Sequence, residues 1–433
     1  MSMTEKLLQF IWQFQYLNIS GLSTTQQEPV TIIHPGQLNS HQGPDFFNGR
    51  VKIGGNEWAG HIELHLKSSD WFRHNHETDP MYGKVILHVV WTHDSDVTDE
   101  NGLAIPVIEL KGRISGLLLD QYEQWMNTPK QIPCGSGIQT INDLKWHHWL
   151  DRLLAERLLE KCSRVSSHLN QTENHWEEIC WRLVCSYFGG PVNKVSFQQI
   201  AESLPLRILA KHRNVITQLE ALLLGQSGLL HKNFTESYPQ MLYREYQFLQ
   251  KKYGLQVINK PPVFLRMRPT EFPTIRLAQL AMLLHTKENI FSQVMDSKDL
   301  KEVKRLFDVT ANDYWNYHYK PDTETDFQPK RTGDLMIDRV IINAIIPVLF
   351  SYGHHQVNEE VRSRVLGWLS EMAPENNTHT RVFSVFGKKP ANAGESQAMI
   401  TLKQEYCDAK RCLECAVGNQ LLKQKSLEST IGS

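Results

Sequence analysis

Residues 61–67 read His-Ile-Glu-Leu-His-Leu-Lys, a strict alternation of apolar and ionisable side chains. Successive side chains on a β-strand point to opposite faces, so Ile62, Leu64 and Leu66 share one face and His61, Glu63, His65 and Lys67 share the other. The apolar face requires a core to pack on. The opposite face, made only of ionisable groups, requires either water or a chemical role. The chain continues "SSDWFRHNHETD", so residues 60–79 hold four histidines and the four carboxylates Glu63, Asp70, Glu77 and Asp79.

Further strand-like runs stand at 29–34, 49–55, 57–67, 84–93 and 103–112, separated by Pro35-Gly36, Gly54-Gly55-Asn56 and Asn101-Gly102. The Gly54-Gly55-Asn56 signal predicts a hairpin between the second and third runs. From about residue 114 the apolar spacing changes to three and four, the period of helices. Helices are expected near 194–203, 206–224, 234–254, 274–287, 334–350, 357–372 and 394–423, and "DRVIINAIIPVLFSYG" reads as a buried helix kinked at Pro347. A chain of 433 residues can bury two such cores. The predicted class is α+β: an N-terminal mixed β-sheet domain with flanking helices over residues 1–113, then a larger, mostly α-helical domain over 114–433 with a C-terminal cysteine cluster.

No wholly apolar run approaches the roughly 18 residues that span a bilayer, and "MSMTEKLLQFIWQFQYLN" reads as an amphipathic helix without a basic leader. The expectation is a cytoplasmic protein with no membrane partner. A formal net charge of −1 excludes a global basic field, leaving nucleic-acid binding to a local patch.

Pro44-Asp45 follows a glycine turn and leads into a strand, and Glu63 lies on the next. Antiparallel pairing would bring the two carboxylates to one edge of the sheet, where they would suit a hard divalent cation such as Mg or Mn. The order helix, hairpin with Asp and then Glu-x-(basic), helix, strand resembles the PD-(D/E)xK nuclease fold. That resemblance implies Asp45 and Glu63 as metal ligands, with His65 or Lys67 orienting the attacking water. His65 stands where that family has lysine, and Lys67 lies two residues further along the same face. A set His61-x-Glu63-x-His65 could also hold a transition metal, but would need a ligand from elsewhere. On the other reading, Glu63, His65 and Lys67 form a solvated, ion-paired sheet face.

Seven cysteines are an odd count in a long chain, which argues against a secreted disulfide framework. Cys162, Cys180 and Cys185 sit in apolar helical patterns. Cys407, Cys412 and Cys415 have the spacing C-x4-C-x2-C, and with the remote Cys134 could complete a four-thiolate site for an iron–sulfur cluster or zinc. The alternative is three incidental cysteines on a helix. Arg266, Arg268 and Arg276 could meet phosphate or, more simply, pair with carboxylates.

The stretches "GPDFFNGRVKI", "WAGHIELHLKSSDWFRHNH", "VILHVVW", "RPTEFPTIRLAQLA" and "YCDAKRCLECAVG" together resemble the bacterial domain-of-unknown-function family 2851. That likeness implies no activity. The residues themselves support a metal-dependent nuclease or nuclease-like protein acting on nucleic-acid phosphodiesters. The alternative is a non-catalytic binding or scaffold protein with structural cysteines.

Overall fold

The computed structural model describes residues 3–172 and 174–431. Helix α1 (Glu5–Phe14) starts at Thr4, whose hydroxyl caps the Leu7 amide at 3.3 Å, and buries Leu7, Leu8, Phe10, Ile11 and Trp12. The sheet comprises β1 (Val30–His34), β2 (Gln37–Leu38), β3 (Phe46–Ile53), β4 (Asn56–Lys67), β5 (Val85–Thr92) and β6 (Val107–Glu109). Its order is β1-β3-β4-β5-β6, with β2 added to β3. Strands β1, β3 and β4 run antiparallel, whereas β4, β5 and β6 run parallel, so the sheet is mixed as expected.

Gly54 and Gly55 form the predicted hairpin loop between Ile53 and Asn56, with φ of 56° and 98°. Positive φ at both positions is what a twist-compatible two-residue turn needs, and glycine adopts it without strain. A second irregularity matters more. Register steps from Gly49↔Gly60 to Phe46↔Ile62, a bulge at which Asn48 takes φ 58°. Continued without the bulge, the ladder would set Phe46 against Glu63; the extra residue sets Asp45 there instead.

Parallel strands β4 and β5 are joined by residues 68–84, which contain α2 (Asp70–Arg73) and two short 3-10 turns, His76–Thr78 and Pro80–Tyr82. Trp71 is fully buried and donates its indole N–H to the Thr98 carbonyl at 3.1 Å, anchoring the crossover on the sheet with Val90, Val97, Ile105 and Val107. Ser69 does not cap α2 with its side chain; its hydroxyl donates to Asp94 at 2.8 Å.

The chain divides into two compact units, though not at residue 113. One comprises residues 1–150, 376–389 and 399–433, and the other residues 151–375 and 390–398. The sequence-expected boundary is therefore corrected. Helical period marks where strands end, but it does not say which unit a helix packs in, and the helices of 116–149 and the C-terminal segment join the sheet's unit. The second unit is helical around one large apolar core. Its helix Asp334–His355 is long and apolar enough to cross a membrane by length and composition, yet 72% of its most apolar stretch is buried. It opens into a π-helical turn at Ile341–Ile345, just ahead of Pro347, whose missing N–H prevents regular pairing. Arg276 is buried and donates to Gln279 at 2.9 Å, so it serves the helix interior.

Candidate metal centre

Strand β4 presents Glu63 and His65 on one face, as the alternation requires, but that face is not solvated. Glu63 is 5% and His65 2% exposed, because the 68–84 crossover covers them. Two features of backbone geometry then complete the site. The β3 bulge brings Asp45 level with Glu63: the Asp45 amide donates to Glu63 Oε2 at 2.9 Å, and the Leu64 amide donates to Asp45 Oδ2 at 3.2 Å. The parallel ladder sets His88 beside Glu63.

Around this pair the imidazoles close in. His65 Nε2 and His76 Nε2 each stand 3.5 Å from Glu63 Oε1. His65 Nε2 lies 3.1 Å from His74 Nδ1, and His65 Nδ1 lies 2.9 Å from His88 Nε2. Ligand nitrogens of His65, His74 and His76 all fall within 4.8 Å of one another. Tyr82 stacks on His76 with ring centroids 3.7 Å apart, and Trp71 meets both His76 and His88 at 5.4 Å. The aromatic packing fixes the ring planes. His74 is exposed and Asp45 half-buried, which leaves the centre open on that side.

The electrostatics follow from burial without a cation. Desolvation, and then the charge of Asp45, push the Glu63 carboxyl well above its ordinary range. Desolvation likewise raises Asp45, although hydrogen bonds from Gln9 and Leu64 pull against it. Burial and then neighbouring imidazoles drive His65 down, and His76 falls to about 4 and His88 to about 3, chiefly through burial. Glu63 thus holds a proton at neutral pH while the three imidazoles stay neutral. Neutral imidazole is the form that binds metal, and a cation would replace the carboxyl proton.

Of the residues expected from sequence, Asp45, Glu63 and His65 converge. Lys67 does not join them: it is exposed at the end of β4, its backbone amide donates to Asp70 at 3.1 Å, and its charge neighbours Asp94. His61 also stands apart, edge-on to Phe47 at 4.8 Å. His74 and His76 of the crossover come within reach of His65 and could hold an ion with it. Gln9 of α1, donating to Asp45 Oδ1 at 2.8 Å, and Glu5, whose charge reaches both carboxylates, are absent from the sequence reading, as is Tyr82. No local pattern marks them, since only the packing of α1 and the crossover brings them in. Cys134, Cys407, Cys412 and Cys415 also lie in this unit, all unpaired.

Comparison with protein families gives a match over residues 5–378 to the family described as protein of unknown function (DUF2851). The chain belongs to this family. The matched span includes every residue of the carboxylate–histidine centre and Cys134, and ends before the three C-terminal cysteines. No curated protein and no solved structure matches the chain.

Proposed function

We propose that the chain is a metal-dependent phosphodiesterase of the PD-(D/E)xK nuclease kind, with a divalent cation held between Asp45 and Glu63. The observation that carries the reading is the convergence of these carboxyls, with Glu63 Oε2 2.9 Å from the Asp45 amide, on consecutive antiparallel strands. The element order α1, β1, β3, β4, crossover helix, β5 supports it.

The residues fit such an ion. No side-chain cation is paired to Asp45 or Glu63 among the described ion pairs, and Glu63 Oε1 stands 3.5 Å from His65 Nε2 and from His76 Nε2. The mixed oxygen and imidazole donor set favours Mn, Fe or Zn over Mg. A divalent ion held there would polarise a phosphoryl oxygen and offset the charge that develops on it. His65, kept neutral and hydrogen-bonded to His88, would orient the attacking water by accepting a hydrogen bond from it, at the position where the nucleases it resembles have lysine. Asp45 and His74, on the open side, would meet the nucleic-acid backbone. The seven unpaired cysteines suit the reducing cytoplasm.

A second reading has one observation in its favour. Lys67 points its charge elsewhere, so the centre has no fixed positive group, as a purely structural metal site in a binding or scaffold protein would allow. Incubation of the metal-loaded protein with single- and double-stranded oligonucleotides distinguishes the two. Cleavage that needs Mn and stops in Asp45→Asn supports the nuclease. Stoichiometric metal without turnover on any nucleic acid supports the scaffold.

A further inference from the structure

The helix Asp334–His355 runs apolar from Val340 to Phe350 with a single polar interruption, Asn343. The interruption falls inside the π-helical turn Ile341–Ile345, a widening that recurs where helices serve a site. Asn343 Nδ2 donates to the Arg339 carbonyl at 3.0 Å, which leaves the amide oxygen for another donor. That donor is Lys161, whose Nζ stands 3.3 Å from Asn343 Oδ1. Lys161 Nζ also donates to Gln397 Oε1 at 3.0 Å. Both acceptors are neutral amides.

Lys161 belongs to a row on the helix Asp143–Gln171. Arg157, Lys161, Arg164 and His168 are spaced by four, three and four residues and so share one helical face. Leu158, Cys162 and Val165 beside that row are buried, and Lys161 itself is half-buried. Its ammonium opens on a cleft of about 200 Å³ in the helical unit. Arg182 and Tyr187 of the helix Trp176–Phe188 and Lys194 of the helix Gly190–Ser203 line the same cleft. Val165, Ile179, Leu183 and Pro347 form its apolar wall.

Lys161, Arg164, Arg182 and Lys194 bring positive charge to this cleft from three helices. Arg164 pairs with Glu160 and Arg182 with Glu178, which leaves other N–H groups of each guanidinium for a second acceptor. Neither lysine is paired with a carboxylate among the described ion pairs. Lys194 Nζ bonds instead to the Tyr187 hydroxyl at 3.1 Å and stands 4.2 Å from the centre of that ring. Glu202, the acid among the described lining residues, is exposed and accepts from Gln198 at 2.9 Å. Burial, and then the charge of Arg157, lower Lys161 to about 7, and a bound anion would restore its charge. One guanidinium suffices for a carboxylate, whereas a phosphoryl group presents three oxygens and takes charged donors from several sides. The apolar wall gives free phosphate nothing to contact, but it suits the organic group of an ester.

We propose that this cleft binds a small phosphomonoester, with Lys161, Lys194 and Arg182 on its phosphoryl oxygens and its apolar group against Val165, Leu183 and Pro347. The site lies within the helical unit and does not rest on the nuclease reading of the carboxylate–histidine centre.

Titration calorimetry of the full chain, without added metal, tests the proposal with phenyl phosphate and inorganic phosphate as probes. Phenyl phosphate is expected to bind at a single site, and inorganic phosphate to compete for it at least about fivefold more weakly, having no apolar group to bury. Lys161→Met should weaken phenyl phosphate binding at least about tenfold, the scale of a lost hydrogen bond to a charged group. Lys194→Met should weaken it in the same sense and serves if Lys161→Met does not fold. Lys251→Met, at an exposed lysine of the helix Ser237–Tyr253, should bind as the wild type does. No binding of either probe, or undiminished binding in both cleft variants, would overturn the proposal. Inorganic phosphate binding as tightly as phenyl phosphate would overturn the assignment to an ester and leave the cleft to the free anion.

Discussion

Two buried glutamates show how differently the same group is housed in the two units. In the helical unit Glu220 is fully buried, and both its oxygens are satisfied: Tyr238 donates to one at 2.7 Å and the Trp315 indole to the other at 3.1 Å. Its carboxyl is pushed up only to about 7, since burial is opposed by those donors. Glu63, in the sheet unit, accepts one backbone amide, has the Asp45 carboxyl as a neighbour, and stands 3.5 Å from the Nε2 atoms of His65 and His76. Burial alone therefore does not mark a site. A buried acid whose neighbours finish its hydrogen bonding is architecture; one whose neighbours are further metal-ligating groups is left requiring a cation or a proton.

The largest expected effect tests that contrast directly. Glu63→Gln should reduce Mn-dependent cleavage by at least about 100-fold, with the thermal midpoint of the metal-free protein unchanged or raised. Replacing an acid that must take up a proton to be buried with a neutral amide relieves the apo fold while depriving the metal of a ligand. Retained cleavage with contaminating enzymes excluded would end the nuclease assignment.

Glu220→Ala should do the opposite. It strands the Tyr238 hydroxyl and the Trp315 indole and should cost about 2–4 kcal/mol of stability, read by chemical denaturation, without altering metal content. A neutral result there would mean that hydrogen-bond completion is a poor guide to which acid is structural.

A third test uses pH. Burial beside Asp45 holds the Glu63 carboxyl well above its unfolded value, so from pH 7 to 9 the folded protein holds a proton that the unfolded chain has released. Its contribution to stability is therefore present at low pH and lost as pH rises through that window. Lys161, whose burial lowers it to about 7, acts in the opposite sense over the same range. Comparing wild type with Glu63→Gln cancels Lys161: the variant should gain on the wild type steadily between pH 7 and 9, and added Mn should erase the gain by binding wild type only. Parallel melting curves across that range would show that the carboxyl is not held protonated.

The smallest effect is expected at Lys67. Its side chain is exposed and lies by Asp94, so Lys67→Met should change cleavage by no more than about threefold, the scale of a surface charge. A large loss would return the water-orienting role to lysine and take it from His65.

Much of the first unit was legible in residue order. Period-two alternation over 61–67 specified a strand with Glu63 and His65 on one face, because side-chain direction on a strand is set by covalent geometry. Gly54-Gly55 announced the hairpin, since few other residues accept positive φ in succession. All of these are local, and local backbone preference is what a sequence encodes most directly.

What only the tertiary structure decided are the relations between distant segments. The bulge at Asn48 moves Asp45 by one residue and so makes the carboxylate pair; nothing near it in the sequence announces it. The crossover folds back over β4 and turns an apparently solvated face into a buried one, delivering His74, His76 and Tyr82. Helix α1 contributes Gln9, and the C-terminal segment returns to the sheet's unit instead of the helical one. Each depends on which apolar surfaces bury one another, a choice made by the whole chain at once. The ionisable residues of 61–76 named the chemistry that was possible, and packing determined which of them meet.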